Sequence, residues 1–137
     1  MKILILGSMS FTPEMVKIGE QLKNLGHKVT LPCFIEEYSK CNTREEMHNA
    51  AIKNKLSYDL YKEYYNLIKE TDAIIIINEE KNKIPNYIGA NSLIEMSFAH
   101  ILGKKIFLLN DIPNMPYSDE IKAMNIICLK KDFSKIK

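Results

Sequence analysis

A single carboxylate, Glu95, stands in the apolar run SLIEMSFAHIL, directly after the polar stretch NYIGAN. Flanked by Leu93, Ile94, Met96 and Phe98, with no Arg or Lys beside it, such a group can attack an electrophilic carbon or stabilise an oxocarbenium-like cation if it is ionised near neutral pH. The spacing also has a plainer use. Ser92-Leu93-Ile94-Glu95 is S-x-x-E, the capping box in which the Glu bonds back to the backbone N–H of the cap residue. A carboxylate in a first helical turn gains a further ~0.3–1 kcal/mol from the helix dipole. Spacing alone therefore favours the cap.

Other reactive side chains form no constellation. His27, His48 and His100 are isolated, without HExxH or paired metal spacing, and are expected to be ordinary surface or core histidines. His100 shares the Glu95 helix but lies about 140° around its axis, too far for a dyad. Cys33, Cys41 and Cys128 are odd in number and lack CxxC spacing, which suggests neither a disulfide framework nor a zinc site. Cys33 reads as a small buried hydrophobe. No G-x-G-x-x-G or Walker A pattern occurs, and Gly7-Ser8 is explained as readily by a turn.

The elements that must position these residues alternate. KILILG reads as a strand ended by Gly7, and a helix follows over 13–25 with Thr12 as cap, Pro13 at its first position and Gly26 after its end. HKVTL is a second strand and residues 33–41 a loop. Thr43-Arg44-Glu45-Glu46 opens a long helical stretch to about residue 69, broken near Ser57. Tyr58, Tyr61, Tyr64, Tyr65 and Ile68 share a broad face of that stretch, at a spacing that suits core or subunit interface better than a ligand platform. DAIIIIN, with no alternation, is a central strand buried on both faces. A helix over 92–102, the strand KKIFLLN, the short helix SDEIKAM and the strand NIICL complete the series.

Strand-helix alternation specifies an α/β domain over residues 1–137, flavodoxin-like or Rossmann-like, with five parallel strands in the order 2-1-3-4-5 flanked by helices. Ligands in such sheets bind outside the carboxyl ends of the strands, where the strand order reverses. Gly7, Ser8, Met9 and Ser10, then residues 32–34, Asn78, Glu79, Asn110 and Asp111 fall at that edge, together with Glu95. Asp72, preceding its strand, falls at the opposite edge and reads as structural.

Composition narrows the partners. Nineteen basic and seventeen acidic residues, spread along 137 positions, leave +2 and no basic stripe, which argues against a nucleic-acid footprint. Arg44 is the only Arg, so a phosphate would rest on backbone N–H groups, hydroxyls or Lys. The opening apolar run is too short for a signal peptide, and no run approaches a membrane span, so a cytoplasmic protein with no membrane partner is expected.

GSMS after the first strand, KETDAIIIIN, and IGANSLIEMSFAHILGKKIFLL resemble the nucleoside 2-deoxyribosyltransferase superfamily, which includes the 2′-deoxynucleoside 5′-phosphate N-hydrolases. The likeness spans most of the chain and is strongest over 71–109. It implies an enzyme without metal or organic cofactor, acting on a small-molecule nucleoside or nucleotide; the apolar breadth of the tyrosine face separately favours a homo-oligomer. The resemblance places the family's nucleophile at Glu95. Ser8 and Met9, beside Gly7, are then expected at the ribosyl or base pocket, Gly89 and Asn91 in the loop beside it, and Asn78 as a polar wall. Tyr64 stands eight residues before Asp72, where the family commonly has a substrate-engaging Asp, and is expected to supply that hydrogen bond. Ser10 stands where the phosphohydrolase branch tends to place an Arg, and residues 78–91 form a longer loop than usual. The alternatives are a non-catalytic nucleotide-binding or sensor domain that keeps Glu95 as a cap, and cleavage of NAD at its nicotinamide bond.

Overall fold

The computed structural model describes residues 1–137. Five parallel strands, β1 (Lys2–Gly7), β2 (Lys28–Thr30), β3 (Ala73–Ile77), β4 (Lys105–Leu108) and β5 (Ile127–Cys128), form one sheet in the order β2-β1-β3-β4-β5. β1 runs beside β3 from Ile3↔Ala73 to Gly7↔Ile77. Two-residue periodicity sorts the strand side chains between two layers. Ile3, Ile5, Ile75 and Ile77 face one core with α1 (Thr12–Asn24), through Met15 and Leu22. Leu4, Leu6, Ile74 and Ile76 face the other, where α4 (Leu60–Lys69) supplies Tyr64 and Ile68, and α5 (Ala90–Ile101) supplies Met96 and Ala99. All five β3 residues are buried, as an unalternating Ile run in a central parallel strand requires.

The sequence-expected elements are present, with three differences. Residues 33–41 contain a short helix, α2 (Ile35–Ser39), entered through Phe34 in the left-handed region at φ 64°. α1 begins at Thr12 itself, so Phe11 and not Thr12 is its N-cap, and no side chain caps it. The long helical stretch is α3 (Arg44–Ser57) followed by α4, broken after Ser57 as expected, where Asp59 caps α4 by accepting from the Lys62 N–H at 3.2 Å. Tyr58 thus lies off the tyrosine face. The third difference is the start of α5, described below. Asp72 does serve structure at the far edge, its carboxylate accepting from the Lys2 N–H at 2.7 Å. No helix is long and apolar enough to cross a membrane.

Two features of this fold build the site. Gly7 leaves β1 at φ 143°, and a Cβ there would lie 2.8 Å from the Ile77 carbonyl oxygen, so only glycine lets the chain turn Ser8 over the end of β3. The link from β2 to β3 carries three helices, and α3 packs over the 3₁₀ turn of Met9–Phe11 at the carboxyl edge. Arg44 fastens it there: the guanidinium donates to the Ser10 carbonyl, pairs with Glu14 and lies 5.6 Å over the Phe11 ring. At the other end of α3, Asn54 donates to the Tyr38 hydroxyl of α2 at 3.0 Å.

Candidate active site

A cavity of about 200 Å³ opens at the carboxyl edge, between the ends of β1 and β3 where the strand order reverses. Gly7, Ser8 and Met9 form one side and Gly89, Asn91 and Ser92 another, with Tyr64 and Glu95 also in the wall. The roof is α3. His48, Ala51, Ile52 and Lys55 recur at i, i+3, i+4 and i+7, the spacing of one helical face, and all four line the cavity. A second, more open chamber of about 460 Å³ shares His48, Lys81 and Tyr87 with the first.

Glu95 does not cap its helix. α5 begins at Ala90 with Gly89 as N-cap, two residues before the expected start at Ser92, and no side chain caps it. The Tyr117 hydroxyl donates to the Ile88 carbonyl, and the Tyr87 ring lies 3.3 Å from where a Cβ on Gly89 would stand, so the incoming chain is held such that helical turns begin at once. Ser92 consequently lies inside the helix and is buried, and Glu95 is its sixth residue, beyond the first turn. The capping box is not formed.

What replaces it is a carboxylate that is 7% exposed, faces the cavity and receives no hydrogen bond from the protein. Burial disfavours its charged form and pushes its pKa up from 4.5 to about 8, against the weaker opposing pull of Lys55. At neutral pH burial thus favours the protonated carboxyl. A carboxyl poised this close to physiological pH can shuttle between proton carrier and nucleophile.

Tyr64 is buried beside it. Its hydroxyl accepts the Cys33 N–H at 3.1 Å, which leaves its own proton free to donate to a ligand. Burial raises its pKa, so that proton stays in place, and burial likewise raises that of Cys33. Cys33 is half-buried and behaves as the small hydrophobe expected of it. Asp59 is committed to the α4 cap and lines neither chamber. Asn91 is held at the rim, its side chain accepting from the Tyr61 hydroxyl at 3.1 Å.

Asn78 requires correction. It is fully buried and lines neither chamber: its Nδ2 donates to the Asp111 carbonyl and its Oδ1 accepts the Asn110 N–H, both at 2.9 Å. It ties the exit of β3 to that of β4, because its backbone has already left the ladder and its side chain supplies the pairing that the strands no longer do.

Tyr38, His48, Lys55 and Lys81 are among the cavity residues that the sequence did not place there. Lys81 turns inward from the β3–α5 loop, and its Nζ donates to Ser8 Oγ at 2.9 Å and lies 5.4 Å from the Tyr87 ring centroid. The 3.6-residue spacing of His48, Ala51, Ile52 and Lys55 was present as a signal, but only one of the four is strongly apolar, so no hydrophobic stripe marked it. No three His, Cys, Asp or Glu side chains converge in a way that would hold a metal ion. Compared with models of known families and with curated proteins, the chain matches none.

Proposed function

We propose that the protein cleaves the N-glycosidic bond of a (deoxy)nucleoside or nucleotide, with Glu95 as the nucleophile. The observation that carries this reading is the unpartnered, buried Glu95 carboxylate facing a cavity at the sheet's switch point. A buried carboxyl with no hydrogen bond costs stability, and a cap would have relieved it; its retention in a ligand-sized recess suits a group that acts on a ligand. The resemblance of GSMS and of IGANSLIEMSFAHILGKKIFLL to the nucleoside 2-deoxyribosyltransferases supports the same chemistry.

In this mechanism an ionised Glu95 oxygen attacks the anomeric carbon, and the C–N bond breaks with its electron pair passing to the departing base, which takes up a proton. Water then adds to the anomeric carbon, losing a proton and releasing Glu95, or a second nucleobase does so in a transfer. Tyr64 donates a hydrogen bond from its hydroxyl to the sugar or to the carboxylate. Incubation with 2′-deoxynucleosides, their 5′-monophosphates and NAD, with and without an acceptor base, is expected to yield free or exchanged base from one class. Tight nucleotide binding with no base released from any of them would refute the reading and leave a sensor domain. NAD is included because the outer chamber extends the cavity toward the size of a dinucleotide site.

The protein is further proposed to self-associate through α4 and α5. Ile94, Phe98 and Ile101 follow at i, i+4 and i+7, beside Tyr61 and Tyr65, and Tyr65 meets Phe98 edge-on at 5.5 Å. Ile101 is 79% exposed, and Ile94, Tyr61 and Tyr65 are also open to solvent in the single chain. Light scattering is expected to give at least twice the 15.9 kDa chain mass, and Ile101→Glu to reduce it to one chain. A monomeric wild type would overturn this.

A further inference from the structure

Lysine side chains ordinarily run along apolar surface and release their charge into water. Lys81 does the reverse. Half-buried, it reaches from the β3–α5 loop across the cavity mouth to Ser8, with the Tyr87 ring beneath it. No carboxylate pairs with it: the nearest acids in sequence are Glu79, engaged by Lys131 at 3.1 Å, and Glu80, which faces the outer chamber. Lys55 faces the same cavity from α3, also without an ion-pair partner. The only acid lining the inner cavity is Glu95. Two ammonium groups thus converge on a space that provides no counter-charge beyond that carboxyl.

Resting on the glycosidase reading of the cavity, we propose that its substrate is a phosphate monoester, the nucleoside 5′-monophosphate rather than the free nucleoside, with the phosphate seated on Lys81, Lys55 and the Ser8 hydroxyl. The Ser8 Oγ already accepts from the Ser10 N–H at 3.3 Å and from Lys81, which leaves its own proton to donate to a phosphate oxygen. Lys81 and Lys55 supply charge-assisted donors from opposite sides. Burial, and then the like charges of Lys55 and Arg44, weaken the hold of Lys81 on its proton; a bound anion relieves both. In the outer chamber Glu45 and Glu80 stand beside Arg44, whose guanidinium is already engaged by Glu14 and the Ser10 carbonyl, so a second or third phosphate extending there would meet two carboxylates. One phosphate is accommodated and a chain of them is disfavoured.

The test measures binding by calorimetry on the Glu95→Gln protein, so that turnover does not intervene, using the common 2′-deoxynucleosides, their 5′-monophosphates and inorganic phosphate. At least one monophosphate is expected to bind about 10- to 100-fold more tightly than its nucleoside, the range of one or two hydrogen bonds to charged groups. Inorganic phosphate should compete with it. In a Lys81→Met background that advantage should fall to roughly 3-fold or less, with nucleoside affinity unchanged. Lys55→Met provides an independent second variant, expected to reduce the advantage in the same direction. Equal affinities for nucleoside and monophosphate, or an advantage that survives both substitutions, would overturn the proposal. Its fate separates from that of the glycosidase reading. Base released equally from nucleosides and monophosphates keeps the enzyme and removes the phosphate seat, whereas Lys81-dependent monophosphate binding without base release from the wild type does the opposite.

Discussion

Glu95→Gln is expected to lower base release by about 10³-fold or more, because the amide keeps the shape of the side chain and removes the electron pair that attacks the anomeric carbon. The fold should persist, since no hydrogen bond of the protein ends on that carboxylate and the cavity wall around it is formed by other residues. The pH profile carries the more specific expectation. A nucleophile must be ionised, and burial holds this carboxyl protonated up to about pH 8 in the free protein. For the wild type, kcat/KM, which reports the free enzyme, should therefore rise with pH through about 8 and then level off. Were Glu95 instead to act as a proton donor to the leaving base, the same quantity would fall through that range. A Gln variant with wild-type turnover would remove Glu95 from the chemistry altogether.

The sheet was legible because its signals are local. Unbroken Ile at 74–77 marks a strand buried on both faces, Gly7 and Gly26 mark ends, and alternation of strand and helix leaves few topologies. Placement of Gly7, Ser8 and Met9 at one cavity then followed from the rule that ligands sit at the switch point, whereas Gly89 and Asn91 were expected there through the resemblance to the nucleoside 2-deoxyribosyltransferases. The failures were of longer range. Whether Glu95 caps α5 depends on where the helix starts, and that is set by Tyr117 reaching Ile88 from 29 residues away and by Tyr87 packing on Gly89. An S-x-x-E spacing carries no information about either. Lys81 and Ser8 lie 73 residues apart, and the α3 roof comes over them only because Arg44 binds the turn after β1. Asn78 was placed correctly at the edge but assigned the wrong direction, since an amide one residue past a strand can face a ligand or mend the ladder with equal spacing.

Glu95→Gln should also stabilise the protein, increasingly so above about pH 5. The carboxyl titrates near 4.5 in the unfolded chain and near 8 in the folded one. Between those values the native state holds a proton that the unfolded state has released, so raising the pH favours unfolding by up to ~1.4 kcal/mol per pH unit. The loss begins near pH 4.5, accumulates to about pH 8 and is constant above it. Over the full interval the loss is on the order of a few kcal/mol. Gln at this position does not titrate and escapes the loss. The variant and the wild type should accordingly melt together near pH 5 and separate progressively, the variant gaining about 5–10 °C by pH 8.5 in calorimetry or circular dichroism. A capping carboxylate makes the opposite prediction, because its loss would lower stability by about 0.5–1 kcal/mol at every pH where Glu95 is ionised. The sign of the difference at alkaline pH thus decides between the two roles of this side chain without any substrate being known, and a Gln variant less stable than wild type at pH 8.5 would return Glu95 to its helix as a structural residue.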